Sequence, residues 1–462
     1  MTSRWKQWLP EMILAVVAIY FTYRELGSFP RSWVDEGLFI MTAKNFASGR
    51  GYAIPLLTHL WYFPYFLAVG PTVIFPAALS LKLFGVSVAA ARLPMTLYIL
   101  GTAVMMYIFT NHIANRTAAR WSAALLVTLS AFINTGKPLL GEIPGFFFLI
   151  LGIFAMSRTK KPVPRGLASG ACFGLSIVTK LTNALILPGL AIAWIAAASR
   201  RKLDEEVALA LSGITAVIVY LPWRLLEIAH TPAGSLSEEI KTFVLGGGNL
   251  PVLNVLRNNW EILFRLPFMA FFVILAAGGA GLWLATSRAS ITVRIFITAE
   301  TVLFLLFFLN SYGWYRHLLT AHLLLIPFVP LGMIRVLRTK SSAILLSAIV
   351  VSQTAWQFTH QGSGRDAALA QAVTIVQERF ADTDLLVEEP EVFAQLPENP
   401  HWLYLPRDGV SPTMPTMFKT PDESMRCFAR LRKLNEEETV EYKERATPVG
   451  GYAILLPADG CR

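Results

Sequence analysis

The chain carries two adjacent carboxylates, Asp35 and Glu36, just beyond the end of its first long apolar segment. Ionisable groups at a membrane boundary are costly, and those that face a cavity tend to mark functional sites. A third carboxylate and several cations stand in comparable positions later in the chain: Glu142, Lys137, Lys180, Arg224, Arg316 and His317. A carboxylate can accept the proton of a hydroxyl nucleophile while cations hold a phosphate leaving group. These residue types therefore suit transfer of a group, such as a sugar, from a lipid phosphate to a hydroxyl acceptor.

Each of these residues also has a simpler explanation. The acidic pair is equally well the solvated start of a loop, and any one cation alone is more often a snorkelling side chain at the membrane interface. What favours a site is a common location on one side of a membrane, which depends on the topology of the chain.

Composition defines the class of protein. Of the 462 residues, 54% are hydrophobic and only 15% are charged, and the mean hydropathy is +0.52. These values exclude a soluble globule and indicate a polytopic membrane protein embedded in a lipid bilayer. The net charge of +10 comes from short basic clusters between apolar runs, where they act as orientation signals, so nucleic-acid binding is not expected.

Apolar runs predict about eleven transmembrane helices. Arg4 and Lys6 precede the first run, and no small-residue cleavage site follows it, so we expect an uncleaved helix that begins in the cytoplasm. Several runs are shorter than the roughly 20 residues that an untilted span needs. The predicted spans are residues 10–26, 92–112, 118–134, 143–157, 166–181, 183–198, 206–222, 266–285, 295–311, 318–335 and 342–359.

The apolar segment 60–84 is predicted not to cross the membrane. If it crossed, every later basic cluster would lie outside, against the positive-inside bias. Pro64, Gly70-Pro71 and Pro76 also interrupt it, which suits an irregular interfacial segment. The first outer loop is then large, residues 27–91, and it contains Asp35 and Glu36. The same parity places on the outer side residues 135–142, the turn around Lys180, residues 223–265, residues 312–317 and the carboxyl-terminal segment.

Two domains follow: a transmembrane catalytic domain, residues 1–359, and a small soluble extracytoplasmic α/β domain, residues 360–462. The second is more polar, with predicted helices at 367–380 and 422–434 and predicted strands at 384–387, 402–405 and 452–456. Glu388, Glu389 and Glu391 are expected to form a solvated strand end rather than an acidic site. Cys427 and Cys461 could form a disulfide, which spacing alone does not decide.

Several short motifs resemble, in order, those of the GT-C glycosyltransferases that use polyprenyl-phosphate sugars, the group of protein O-mannosyltransferases and aminoarabinose transferases. Asp35-Glu36-Gly37-Leu38-Phe39 resembles the first-loop motif, and Ala91-Arg92-Leu93-Pro94 the segment leading into the second span. The similarity extends over roughly residues 10–335. The later matching motifs are Gly141-Glu142, Val178-Thr179-Lys180, Leu221-Pro222-Trp223 and Tyr315-Arg316-His317.

The resemblance implies a membrane sugar transferase with an outward-facing site, a polyprenyl-phosphate sugar donor, a hydroxyl acceptor (glycan, lipid or protein) and inversion at the anomeric carbon. It implies that Asp35 acts as or positions the base, with Glu36 and Glu142 as supporting carboxylates. It assigns Lys180 and Arg316 to the lipid phosphate. His317, Lys137 and His59 are further candidates for substrate binding.

Some features stay open. Some relatives bind a divalent metal, and Asp35, Glu142 and His317 could form such a site, although their spacing is not diagnostic. The transferred sugar could be a hexose, a pentose or an amino sugar. The competing class is a polytopic lipid or glycan transporter or flippase, and a third is a non-catalytic scaffold; against a transporter, no internal repeat is visible. A prokaryotic plasma membrane is the expected location.

Overall fold

The computed structural model describes residues 3–64, 67–230, 261–263, 269–285, 288–311, 313–359, 367–406, 427–434, 446–449 and 451–457. Most of the predicted outer loop 223–265 and the first part of the predicted helix 422–434 lie outside these ranges, as does Cys461.

Most of the described chain is helical, and helices occur at each of the eleven predicted spans. Their bounds are α1 Ser3–Tyr23, α2 Val34–Ala47, α3 Pro71–Phe84, α4 Val88–Ile113, α5 Arg116–Thr128, α6 Ser130–Gly136, α7 Glu142–Arg158, α8 Pro162–Thr179, α9 Ile186–Ser199, α10 Leu203–His230, α11 Met269–Trp283, α12 Ile291–Leu309, α13 Tyr315–Leu325, α14 Val329–Leu337 and α15 Thr339–Thr359. A 3-10 turn, Leu181–Leu185, precedes α9, and another, Ile326–Phe328, joins α13 to α14.

Five of the described helical segments are long and apolar enough to cross a membrane: Val88–Ile113, Leu181–Ser199, Leu203–His230, Ile291–Leu309 and Tyr315–Leu337. Shorter apolar helices are Gln7–Tyr23, Pro71–Phe84 and Phe271–Trp283. The predicted class, a polytopic helical membrane protein with a small α/β domain at its carboxyl end, is confirmed. The total of eleven spans stays a prediction.

Small residues bring α8 and α10 close together. Gly166, Gly170 and Gly174 recur at intervals of four, and a Cβ on any of them would lie within 2.7 Å of a backbone carbonyl oxygen of α10. Ser169 and Ser212 add a hydrogen bond of 2.6 Å between the same helices. In a bilayer, where burial of apolar surface gives little drive to helix association, this close van der Waals packing with an interhelical hydrogen bond stabilises the pair.

The segment 27–91, which is predicted to be the first outer loop, is largely structured. It contains α2, an antiparallel hairpin of β1 (Ala53–Leu56) and β2 (His59–Tyr62), and α3. At 14 residues, α3 is too short to span a bilayer core, in agreement with the predicted interfacial segment. Sequence reasoning did not predict α2. Nearly every residue from Glu36 to Ala43 is buried, so the helix lacks the 3.6-residue alternation that reveals an amphipathic helix.

The carboxyl-terminal domain contains a five-stranded sheet. Its elements are α16 Ala367–Arg379, β3 Leu385–Val387, α17 Pro390–Phe393, β4 Trp402–Tyr404, β5 Ala429–Arg432, β6 Ala446–Val449 and β7 Tyr452–Leu455. The strand order is β4-β3-β5-β7-β6, with β3 parallel to β4 and β5 and the remaining pairs antiparallel. The predicted helix and the three predicted strands at 367–380, 384–387, 402–405 and 452–456 are therefore confirmed.

Two expectations for this domain were wrong. The predicted helix 422–434 is a strand from Ala429, because Ala429 and Leu431 alternate with arginines, and the two apolar side chains enter the core. The acidic group is not solvated: Glu391 is 1% exposed and pairs with Lys433, and Glu388 lies 3.2 Å from the Arg432 guanidinium. The arginines of β5 thus face acidic side chains at the end of β3.

The carboxyl-terminal domain rests directly on the first outer loop. The Leu57 amide donates a 2.8 Å hydrogen bond to the Tyr404 carbonyl oxygen, and Lys44 Nζ donates a 2.6 Å hydrogen bond to the Leu396 carbonyl oxygen. Helix α17 packs against α2 so closely that a Cβ at Gly37 would lie 2.4 Å from the Glu391 amide nitrogen. Helix α2 is therefore held between the membrane domain and the carboxyl-terminal domain.

Candidate active site

Four charged side chains from four separate segments form one connected cluster. Asp35, in the first turn of α2, accepts a 2.8 Å hydrogen bond from Arg316 Nη2. Arg316 lies in the first turn of α13, and its Nε is 3.8 Å from Glu142 Oε1. Glu142 begins α7 and forms an ion pair with Lys180, which follows α8. Carboxylates and cations therefore alternate through the cluster, from Asp35 to Arg316, Glu142 and Lys180.

The cluster has one open end and one buried end. The Asp35 side chain is 35% exposed, and its Oδ1 accepts no hydrogen bond within the described part of the chain. Glu142 and Lys180 are each only 7% exposed. Glu142 Oε2 and Arg316 Nε are buried without a hydrogen-bond partner among the described residues. Because buried polar atoms are normally satisfied, these two atoms indicate a place that a polar ligand completes.

The interfacial segment determines where Lys180 lies. Val69 forms a single antiparallel bridge with Lys180, and the Gly70 amide donates a 3.1 Å hydrogen bond to the Thr179 carbonyl oxygen. A Cβ at Gly70 would lie 1.8 Å from the Val178 carbonyl oxygen, so only glycine permits this approach. The residues that follow the hairpin therefore hold the backbone of Lys180 where its side chain pairs with Glu142.

Glu36 points away from this cluster and forms a second, fully buried one. Its carboxylate accepts hydrogen bonds of 2.7 and 2.6 Å from Arg92 Nε and Nη2, and both side chains are 0% exposed. Arg92 also donates to the carbonyl oxygens of Leu26 at 3.0 Å and Pro30 at 2.9 Å. The Glu36–Arg92 clamp therefore ties α2 to α4 and to the segment that follows α1.

The other predicted residues are divided. His317 follows Arg316 in the first turn of α13, and its Nδ1 is 2.7 Å from Ser311 Oγ. Lys137 is buried elsewhere: its Nζ donates a 2.7 Å hydrogen bond to the Arg24 carbonyl oxygen, and desolvation lowers its pKa to about 8.

His59 and Arg224 also lie apart from the cluster in the contacts that the structure provides. His59 is an exposed residue at the turn end of β2, opposite Leu56. Arg224 forms an ion pair of 2.9 Å with Glu227, one turn along α10. The structure thus brings together Asp35, Glu142, Lys180, Arg316 and His317, and it separates Glu36, Lys137 and His59 from them.

Sequence reasoning missed the residues that orient the cluster. The Arg316 guanidinium stacks on Trp314, at 4.2 Å from the ring centroid, and faces Trp33 at 5.9 Å. Such contacts restrict the guanidinium in the plane that meets both carboxylates. The partner of Glu36, Arg92, was also not predicted to be a site residue. Its sequence context could have indicated it, because Arg92 is the one arginine within the long apolar helix Val88–Ile113.

The residues present do not fit a protein-built metal site in this arrangement. Within the described ranges, no three His, Cys, Asp or Glu side chains come together as a group that could hold a metal ion. Of the three candidate ligands, Asp35 and Glu142 both face Arg316, whose positive charge lies where a cation between them would be.

Three solved structures illustrate which proteins have a similar fold. Over its whole length the fold is similar to ArnT from Cupriavidus metallidurans bound to undecaprenyl phosphate, with a TM-score of 0.68, 14% identity, and 100% of this chain and 99% of that chain covered. It is also similar to the archaeal oligosaccharyltransferase AglB from Archaeoglobus fulgidus, in complex with an inhibitory peptide and a dolichol-phosphate (TM-score 0.56, 12% identity, 88% of this chain and 65% of that chain). A further similar structure is the mycobacterial arabinofuranosyltransferase AftD (TM-score 0.50, 14% identity, 84% of this chain and 29% of that chain).

The chain therefore has the fold of the GT-C glycosyltransferases. Within this class, residues 68–225 match the family described as dolichyl-phosphate-mannose-protein mannosyltransferase. That segment contains Arg92, Glu142 and Lys180. A comparison with curated proteins gives no match.

Proposed function

We propose that this protein transfers a single sugar from a polyprenyl-phosphate donor to a hydroxyl acceptor on the extracytoplasmic side of a cell membrane. The observation that carries the proposal is the cluster of Asp35, Arg316, Glu142 and Lys180. In it a carboxylate with an open oxygen is paired with Arg316, which lies beside the Glu142–Lys180 ion pair. A similar fold has been solved with undecaprenyl phosphate and another with a dolichol-phosphate, which supports a lipid-linked donor.

The chemistry follows from the separate ends of the cluster. Asp35 Oδ1 accepts the proton of the acceptor hydroxyl, and the hydroxyl oxygen attacks the anomeric carbon of the donor sugar. The bond from that carbon to the phosphate oxygen breaks, and the lipid phosphate leaves with the electron pair. Lys180 and Arg316 stabilise the charge that develops on the phosphate. One displacement from the face opposite the phosphate inverts the anomeric configuration.

Two features support the outward location of this chemistry. Cys427 is disulfide-bonded, and structural disulfides persist in oxidising compartments outside the cytoplasm. The short basic loops of the membrane domain, such as Arg200-Arg201-Lys202, lie on the opposite side from the cluster in the predicted topology. The amino terminus is then cytoplasmic and the carboxyl-terminal domain extracytoplasmic.

The experiment is transfer of labelled sugar from a panel of polyprenyl-phosphate hexoses, pentoses and amino sugars, in membranes that contain the wild type or Asp35→Asn. We expect one donor to be consumed by the wild type and turnover to fall by about 10²–10⁴-fold in the variant, as when a general base is lost. Lys180→Met should lower turnover and also raise KM for the donor, because Lys180 stabilises the charge that develops on the phosphate. If no donor is consumed, or if Asp35→Asn turns over like the wild type, the transferase assignment fails and a transporter becomes the better explanation.

A further inference from the structure

A polar cleft lies along the seam between the first outer loop and the carboxyl-terminal domain, away from the cluster at Asp35. Its volume is about 350 Å³, and its walls include the amides of Asn45 and Asn399 and the rings of Phe393 and Trp402. A second opening of about 450 Å³ adjoins it and shares Lys44, Pro397 and Glu398. Volumes of several hundred Å³ with a few convergent polar groups and aromatic walls are typical of small-ligand sites.

Lys44 is the one side chain of α2 that lines both openings. Its ammonium is partly buried, and one of its three N–H groups donates a hydrogen bond to the Leu396 carbonyl oxygen. Within the described residues no carboxylate lies at ion-pair distance from it. Glu398, which lines both openings, is paired with Arg50 and attracts Lys44 only from a greater distance. Burial lowers the pKa of Lys44, a cost that an anion beside it would relieve.

The chemistry of the walls selects the ligand class. The Asn45 and Asn399 amides each donate one hydrogen bond within the protein, and each keeps a second N–H with which to bind a hydroxyl. The partly exposed Phe393 ring, more than the buried Trp402 ring, can pack against the apolar face of a sugar ring. The Lys44 ammonium adds the need for a negative charge on the same ligand. A saccharide that bears a carboxylate or a phosphate provides all three features.

We propose that this cleft binds an anionic saccharide, and that, resting on the proposed function, this saccharide is part of the acceptor. Lys44 follows Asp35 by nine residues on the same helix, which corresponds to about 14 Å along its axis at about 1.5 Å per residue. The cleft therefore holds a portion of the acceptor remote from the reacting hydroxyl. Binding energy from such a remote portion orients the hydroxyl at the reacting centre.

The test measures binding of soluble probes to the purified full-length protein by isothermal titration calorimetry. The probes are digalacturonate, glucose 6-phosphate, the neutral disaccharide maltose and inorganic phosphate. We expect the anionic sugars to bind at least tenfold more tightly than maltose and phosphate. In Lys44→Met this preference should disappear, and in Lys44→Arg it should persist. The exposed Lys202 provides the matched control, and Lys202→Met should bind like the wild type.

Each other result overturns the inference. Equal binding of maltose would remove the role of charge, and equal binding of inorganic phosphate would leave only a simple anion site. Unchanged binding in Lys44→Met would show that the probes do not bind at this cleft. If Lys44→Met fails to fold, as judged by its unfolding temperature, loss of the preference in the charge-retaining Lys44→Arg would contradict the proposal. Asp35→Asn should bind the probes normally, so a failure of the transferase assignment is distinguishable from a failure of this site.

Discussion

The neighbouring acidic residues Asp35 and Glu36 are expected to differ in role, with Asp35 needed for turnover and Glu36 for stability of the fold. Asp35 and Glu36 are neighbours in sequence, yet one is partly exposed beside Arg316 and the other is fully buried against Arg92. We expect Asp35→Asn to remove turnover and leave the fold intact. We expect Glu36→Gln to destabilise the fold, and any turnover that remains to reflect the amount of folded protein.

The magnitudes follow from burial. Glu36→Gln leaves the 0% exposed Arg92 charge without its counterion, and removal of one partner from a buried pair costs about 3–5 kcal/mol. The Asp35–Arg316 pair is partly open to solvent, so its loss costs about 1 kcal/mol or less. The double variant Glu36→Leu/Arg92→Met removes both charges and should recover part of the loss, because no buried ion remains unpaired.

The assay combines two measurements on protein purified in detergent: the free energy of unfolding from denaturant titration, and donor turnover per folded molecule. Glu36→Gln should lose stability but retain much of its turnover per folded molecule, whereas Asp35→Asn should do the reverse. If Glu36→Gln were as stable as the wild type but lost turnover to the same extent as Asp35→Asn, the clamp assignment would be refuted and Glu36 would belong to the catalytic cluster.

Two further predictions concern residues that support the site. Gly70→Ala should destabilise the protein by about 1–3 kcal/mol and raise KM for the donor, because a Cβ there meets the Val178 carbonyl oxygen and displaces Lys180. The control is Gly213→Ala, whose Cβ would meet nothing within 4 Å. Equal behaviour of the two variants would contradict the packing argument. Lys137 has a pKa of about 8 in the folded protein and near 10.4 in the unfolded chain. Between these pH values the unfolded state binds more protons, so the free energy of unfolding should rise with pH. Unfolding temperatures measured from pH 7.5 to 10.5 should show this rise in the wild type, and an equal rise in Lys137→Met would exclude Lys137 as its source.

The sequence predicted where the helices of the membrane domain occur, because long apolar runs are local signals. The positions of the later basic loops, together with the prolines and glycines of segment 60–84, led to the prediction that this segment does not cross. Helix α3 within it has only 14 residues, which is consistent with that prediction. Helix α2 was missed for a physical reason: it is covered by α3 on one side and by α17 on another, so burial leaves no polar face to produce a period.

Which of the predicted residues lie in one site could be predicted only in part, and the side of the membrane on which they lie stays a prediction. Asp35, Glu142 and Lys180 form one cluster with Arg316, and His317 follows Arg316 in sequence. This agrees with the expectation, from the predicted parity of the spans, that their loops share one face. Glu36 and Lys137 shared the same side and the same residue types, yet their partners are Arg92 and the Arg24 carbonyl oxygen. Sequence spacing cannot distinguish the two outcomes, since neighbours on a helix point about 100° apart and the partner of each depends on distant segments.

The arrangement of the cluster suggests how donor and acceptor recognition are divided, if the proposed function holds. The residues assigned to the donor phosphate, Lys180 and Arg316, come from segments of the membrane domain that lie next to lipid-embedded helices. The residues assigned to the acceptor lie on α2, with Asp35 at its start and Lys44 near its end, and the carboxyl-terminal domain packs on the same helix at Gly37. Because α2 is fixed to the membrane domain by the Glu36–Arg92 clamp, the distance from the acceptor cleft to the donor phosphate is set by one rigid element. A transferase built in this way can change its acceptor by altering the carboxyl-terminal domain and the seam around Lys44, while the base and the phosphate-binding cations keep their positions.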